Sequence, residues 1–140
     1  MKYFTIKELC ASDTAKKLGL KNEPTDVVVK NLTFLVDNVL DEIRERCGFP
    51  IRITSGYRCP QLNKAVGGVK TSQHVAGEAV DMQGKDERQT RLIFEIARNY
   101  GKFDQLLYER NGKGAIWVHL SFKRYTDKNR YQCIDNYNVK

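Results

Sequence analysis

A chain of 140 residues that is 41% hydrophobic and 29% charged, with only 3 prolines and 10 glycines, has a globular composition. That excludes collagen-like, low-complexity and disordered architectures and sets the size at one domain, expected over residues 1–140. The 24 Lys+Arg against 17 Asp+Glu leave a net charge of +7, which favours an anionic partner without choosing among nucleic acid, membrane surface and acidic polymer.

The basic residues are scattered, with no block of the kind that makes a nucleic-acid tail, so no specific nucleic-acid partner is expected. No stretch approaches the roughly 18 apolar residues of a membrane span. Met1–Cys10 lacks a long apolar run, so the chain is expected to start in the cytoplasm and to keep Cys10, Cys47, Cys59 and Cys133 reduced. No pair of these cysteines has C-x-x-C spacing. A monomer is expected.

Thr5-Ile-Lys-Glu8 reads as a capping box that opens a short helix. Residues 12–23 read as polar and irregular, ended by Pro24. From Asp26 to Cys47 the apolar residues Val28, Leu32, Leu35, Val36, Val39, Leu40, Ile43 and Cys47 recur at spacings of three and four. They predict the main helix, stopped by Gly48 and Pro50. Residues 51–55 alternate and predict a strand. A short helix is expected over Gln61–Val66, and a strand over Ala79–Met82. Asp86 with Gln89 caps a second long helix that ends at Gly101. Asp104–Glu109 and Ala115–Phe122 read as a hairpin around residues 110–114. The polar, tyrosine-rich tail 124–140 is left without a role. The fold class is α+β, with a small, mostly antiparallel sheet packed against two or three helices.

Only two histidines are present, and both stand in unusual contexts. His74 lies in Ser72-Gln-His-Val-Ala-Gly-Glu-Ala-Val-Asp81, where a loop runs into a strand and can bring His74 and Asp81 to one point. Zinc accepts imidazole nitrogen and carboxylate oxygen together. His119 alternates with Trp117 and Ser121 on the face of its strand opposite Ile116, Val118, Leu120 and Phe122. With residues 110–114 as the loop, Leu107 opposes Trp117 and Gln105 opposes His119. Glu109 then shares the face of His119 but sits nearer the hairpin tip, and a twist, bulge or folded-back loop is needed to bring it in. Each residue also has a bland reading: a structural histidine, a turn or capping Asp81, a solvated Glu109.

Ser55-Gly-Tyr-Arg-Cys-Pro-x-x-Asn63, Ser72-x-His-x-x-Gly-x-Ala-x-Asp81, Asp104-Gln-Leu-Leu-Tyr-Glu109 and Trp117-Val-His119 together resemble the M15 peptidases, zinc D-Ala-D-Ala carboxypeptidases and related peptidoglycan peptidases that include phage endolysins. The hairpin also resembles the hedgehog signalling domain, which shares that fold. The resemblance implies a hedgehog/DD-peptidase-like fold and one zinc ion on His74, Asp81 and His119. It implies Glu109 as general base and Arg58 steadying a substrate carbonyl or carboxylate, with Ser72, Tyr57 and Trp117 around the substrate. The implied substrate is a peptidoglycan peptide, met in the wall after release by lysis or a phage apparatus. Two departures stand out: many relatives carry His-x-His where this chain has Trp117-Val-His119, and others an acidic residue where this chain has Ile116. Two other classes remain beside the enzyme: a non-catalytic zinc module that binds wall or partner, and a basic nucleic-acid binder whose affinity would fall steeply with salt.

Overall fold

In the computed structural model, which describes residues 1–139, the long apolar stripe forms a continuous helical rod. It comprises α3 (Asp26–Leu35), a π-helical turn (Val36–Leu40) and α4 (Asp41–Cys47). Thr25 caps its first turn, and the rod stops at Gly48. Leu32, Leu35, Val36, Val39, Leu40 and Ile43 are completely buried along one side. Two short helices precede the rod. In α1 (Ile6–Leu9) the Thr5 hydroxyl accepts from Glu8 N–H, as the capping box requires. The stretch read as irregular holds a second one, α2 (Asp13–Lys17), capped by Ser12. Five residues give too few apolar positions for periodicity to register, so the Ser12 cap was the only sequence signal for it.

Five strands make one sheet in the order β1-β2-β4-β3-β5. They are β1 (Arg52–Ser55), β2 (Ala79–Gln83), β3 (Gln105–Asn111), β4 (Ile116–Ser121) and β5 (Gln132–Val139). The first three pairings are antiparallel, and β5 runs parallel to β3 at the edge. The polar tail is therefore part of the sheet; its last residue, Lys140, lies outside the described residues. Helix α5 (Pro60–Ala65) follows β1, and α6 (Glu87–Tyr100) joins β2 to β3.

Strand alternation separates two faces. Val80, Met82, Leu106, Tyr108, Val118 and Leu120 point into a core shared with the rod and α6, where Phe94 stacks on Tyr108 with ring centroids 5.6 Å apart. Asp81, Leu107, Glu109, Trp117 and His119 occupy the opposite face. The strand residues the sequence singled out, Asp81, Glu109, Trp117 and His119, therefore stand on the side of the sheet that the long helices leave open.

The hairpin register differs from the one expected by two residues. Leu107 pairs with His119 and Glu109 with Trp117, because β3 runs on to Asn111 and the connection shrinks to residues 112–115. Asn111 explains the shift: its side-chain Oδ1 accepts from the N–H groups of Lys113 and Ala115 and closes the turn beyond the expected point. A shift of two preserves the faces but moves Glu109 one step closer to His119. No twist, bulge or folded-back loop is needed.

Candidate metal centre and active site

Asp81 and His119 are direct neighbours across the β2–β4 ladder, and that register alone brings a carboxylate to an imidazole. Asp81 Oδ1 lies 3.0 Å from His119 Nδ1 and 3.5 Å from His74 Nε2. The ligand atoms of His74, Asp81 and His119 all fall within 4.8 Å of one another. Glu109, two residues along β3 from the partner of His119, places Oε1 3.7 Å from His119 Nδ1. Arg58 closes the group from the β1 side, with Nη2 3.6 Å from Asp81 Oδ2.

His74 is held by backbone rather than by a strand. Its Nδ1 lies 2.7 Å from the Gly56 carbonyl oxygen, an acceptor only, so Nδ1 carries a hydrogen and Nε2 is the atom turned toward Asp81. Gly56 is required for this close approach, since a Cβ there would overlap the Leu9 carbonyl. The next residue fastens the same point, with Tyr57 N–H donating to Leu9 O at 2.8 Å. On the other side of the loop Gly77 has φ +73°, a left-handed conformation that side chains disfavour, and packs against Val28. Asn31 of α3 donates to the Ala76 carbonyl at 2.8 Å. The rod thus carries the loop that carries His74.

The Ser-Gly-Tyr-Arg segment acquires a mechanical meaning. Arg58 Nε donates to Ser55 Oγ at 3.1 Å and Nη1 to Asn63 Oδ1 at 3.5 Å, so two polar residues of the stretch from Ser55 to Asn63 hold the Arg58 guanidinium over Asp81. Asn22, a residue sequence reading passed over, clamps the same turn. Its amide donates to the carbonyls of Cys10 and Tyr57 and accepts from Cys59 N–H.

Burial and charge set the protonation of the group. Burial works to raise Asp81, but His74 and His119 overcome it and hold the carboxyl well below its ordinary range. Burial works to lower His119, and Asp81 and Glu109 reverse the direction. Glu109 is raised, chiefly by burial, with Asp81 adding to the rise and His119 and Arg58 opposing it. Arg58 is lowered by burial against the pull of both carboxylates.

These side chains lie on the floor and wall of a cleft of about 560 Å³. Ser72 lines it and turns its hydroxyl to His74 N–H at 3.3 Å. Trp117 lines it too, its buried indole N–H directed at the Glu109 carboxylate, while Nε2 of Gln73 is buried without a hydrogen-bond partner. Tyr57 is placed elsewhere: it is buried and borders a neighbouring pocket beside Thr54 and Ser12, because alternation past Gly56 turns it away from Arg58. The far wall of the cleft, with Tyr137 and Val139, comes from the tail.

A family model described as Peptidase M15 matches residues 2–121, most of the chain and every residue of this cluster. The chain belongs to the M15 peptidase family. No curated protein matches it closely enough to add a specific relative. As an M15 peptidase it is a hydrolase of peptide bonds at family level, and its α+β architecture is compatible with a small peptidase of that kind. No helix among the described residues is long and apolar enough to cross a membrane.

Proposed function

We propose that this M15 peptidase is zinc-dependent and hydrolyses peptide bonds of bacterial peptidoglycan, either the terminal D-alanine of a stem or a bond within stem or cross-bridge. The observation that carries the reading is the convergence of His74, Asp81 and His119 on one sheet face, with Glu109 3.7 Å from His119 and Arg58 3.6 Å from Asp81. Two imidazoles and one carboxylate are a donor set that suits zinc and leaves a position open for substrate or water. The Gly56 carbonyl orients the His74 ring with Nε2 toward Asp81, and the depressed Asp81 carboxyl stands as a carboxylate, which supports the fit.

Zinc, when bound, supplies Lewis acidity toward the attacking water and the scissile carbonyl. The chain supplies the rest. Glu109 accepts the proton of the attacking water and returns it to the nitrogen of the leaving amine, a task helped by a carboxylate whose proton affinity burial has raised. Arg58, fixed by Ser55 and Asn63, aims its guanidinium at the oxygen that gains negative charge. The net charge of +7 favours approach to a carboxylate-rich wall polymer, and a phage or prophage endolysin is a setting this chemistry fits.

The test is mass spectrometry of peptidoglycan fragments after incubation with zinc-loaded protein, beside a chelated control. Loss of a single D-alanine, blocked by chelator, makes the protein a carboxypeptidase. Separated cross-links or cut stems make it an endopeptidase. Zinc retention with an unchanged fragment pattern overturns the hydrolytic reading and favours a non-catalytic binding module.

A further inference from the structure

The carboxy-terminal strand lies beyond the matched residues 2–121, yet it forms a wall of the cleft. On β3, Gln105, Leu107 and Glu109 share the site face. Their partners on β5 are Gln132, Ile134 and Tyr137. Regular alternation would pair Glu109 with Asn136 and send Tyr137 to the other side. The ladder instead shifts between Leu107 and Glu109, where Asn136 takes the left-handed conformation at φ 61° and β5 carries one extra residue. Bulges of this kind re-aim a side chain, and here the one re-aimed is Tyr137. Its ring stands over the cleft and remains 43% exposed.

The strand around the bulge is firmly fastened. Before it, Gln132 N–H donates to the Asp104 carbonyl and Arg130 grips the Asp104 carboxylate at 2.8 Å. At the bulge, Arg91 of α6 makes a two-pronged pair with Asp135, both contacts at 2.7 Å. A loosely attached tail would not need these anchors, and they leave a partly exposed aromatic ring beside Glu109.

We propose that Tyr137 is a specificity-determining residue that packs against the substrate peptide about three residues from the cleaved bond, and that the substrate is therefore an extended peptide rather than a free dipeptide. The proposal rests on the peptidase reading given above. The distance follows from strand spacing: β5 is two strands from β4, about 10 Å, and an extended peptide advances roughly 3.3 Å per residue. A tyrosine ring offers rigid contact area to peptide backbone and aliphatic side chains at little entropic cost.

Steady-state kinetics on a soluble muropeptide test this with the Tyr137→Ala and Tyr137→Phe variants of the full, zinc-loaded chain. Tyr137→Ala is expected to raise KM about tenfold with kcat within about twofold, and Tyr137→Phe to restore KM, because the ring face is used rather than the hydroxyl. On the shortest muropeptide fragment that wild type still cleaves, Tyr137→Ala is expected to match wild type. Tyr125→Ala, at an exposed residue outside the cleft, serves as the control for surface aromatics. Unchanged KM on the long substrate, or an equal loss on long and short, overturns the proposal.

Titration calorimetry of the metal-free protein with the same muropeptide separates the two readings. If zinc-loaded wild type cleaves nothing, the peptidase reading fails, but weaker binding by Tyr137→Ala still supports the role of Tyr137. Equal binding by wild type and variant, or no binding by either, overturns it.

Discussion

Glu109 sits in an environment that strengthens it as a base and endangers it as a buried charge. It is 8% exposed, with a second carboxylate, Asp81, close by. His119 and Arg58 offset that charge, which is why a carboxyl can be buried there. Glu109→Gln keeps the shape and removes the proton acceptor. It should lower kcat by about 10²–10⁴ in the muropeptide assay while leaving one zinc per chain by elemental analysis. Loss of the metal together with activity would instead make Glu109 a ligand. Gly56 carries a different residue-scale prediction. Gly56→Ala drives a methyl group against the Leu9 carbonyl, so the Gly56 carbonyl must move from His74 Nδ1. Zinc affinity should fall about 10–100-fold, the usual cost of losing a histidine's outer partner. Loop-to-strand position and alternation made the meeting of His74, Asp81 and His119 legible and set Glu109 on the same face, whereas Arg58 entered only through the resemblance to the family. Gly56 and Asn22 were not legible, since each acts through backbone atoms of segments distant in sequence.

At the scale of elements, β5 owes its place to Asp104, whose side chain is completely inaccessible while that of Arg130 is half exposed. Burial works to raise the Asp104 carboxyl, but the bonds from Arg130, with Lys123 behind them, outweigh it and hold the group below its ordinary value. A carboxyl depressed in the folded state stabilises the fold above its unfolded value, and that stability is lost as pH falls through the folded value. Wild-type Tm should therefore drop as pH falls below about 4. Asp104→Asn should cost about 1–2 kcal/mol at pH 7, discounted for water around Arg130, with the gap to wild type closing in acid. A gap that persists unchanged at low pH would show that the pair does not hold the strand. Strand β5 itself was hard to read because it is an exposed edge with little apolar alternation; Ile134, Tyr137 and Val139 were the only hints of β structure. The hairpin faces were legible from alternation, whereas the register depended on the Asn111 turn.

Across the whole molecule, the two faces of one sheet divide the labour. The helical face supplies stability: Leu35 and Leu40 are fully buried on the rod, so Leu40→Ala should cost about 2–5 kcal/mol in a denaturant melt. The open face gathers two carboxylates, two imidazoles and a guanidinium with little apolar compensation, an arrangement that favours a bound cation over an empty site. Binding to the folded chain alone stabilises it by the free energy of saturation, so zinc at a thousand times its Kd adds about 4 kcal/mol. For a chain of this size that is a rise in Tm of roughly 10 °C, reversed by chelator. Asp81→Ala removes the carboxylate shared by both histidines and should abolish the rise. Leu40→Ala should lower the baseline Tm yet keep the zinc increment, because the rod carries the His74 loop through Val28 and Asn31, a separate part of the helix. An increment lost in both variants would mean that the metal responds to global stability rather than to the His74, Asp81 and His119 cluster.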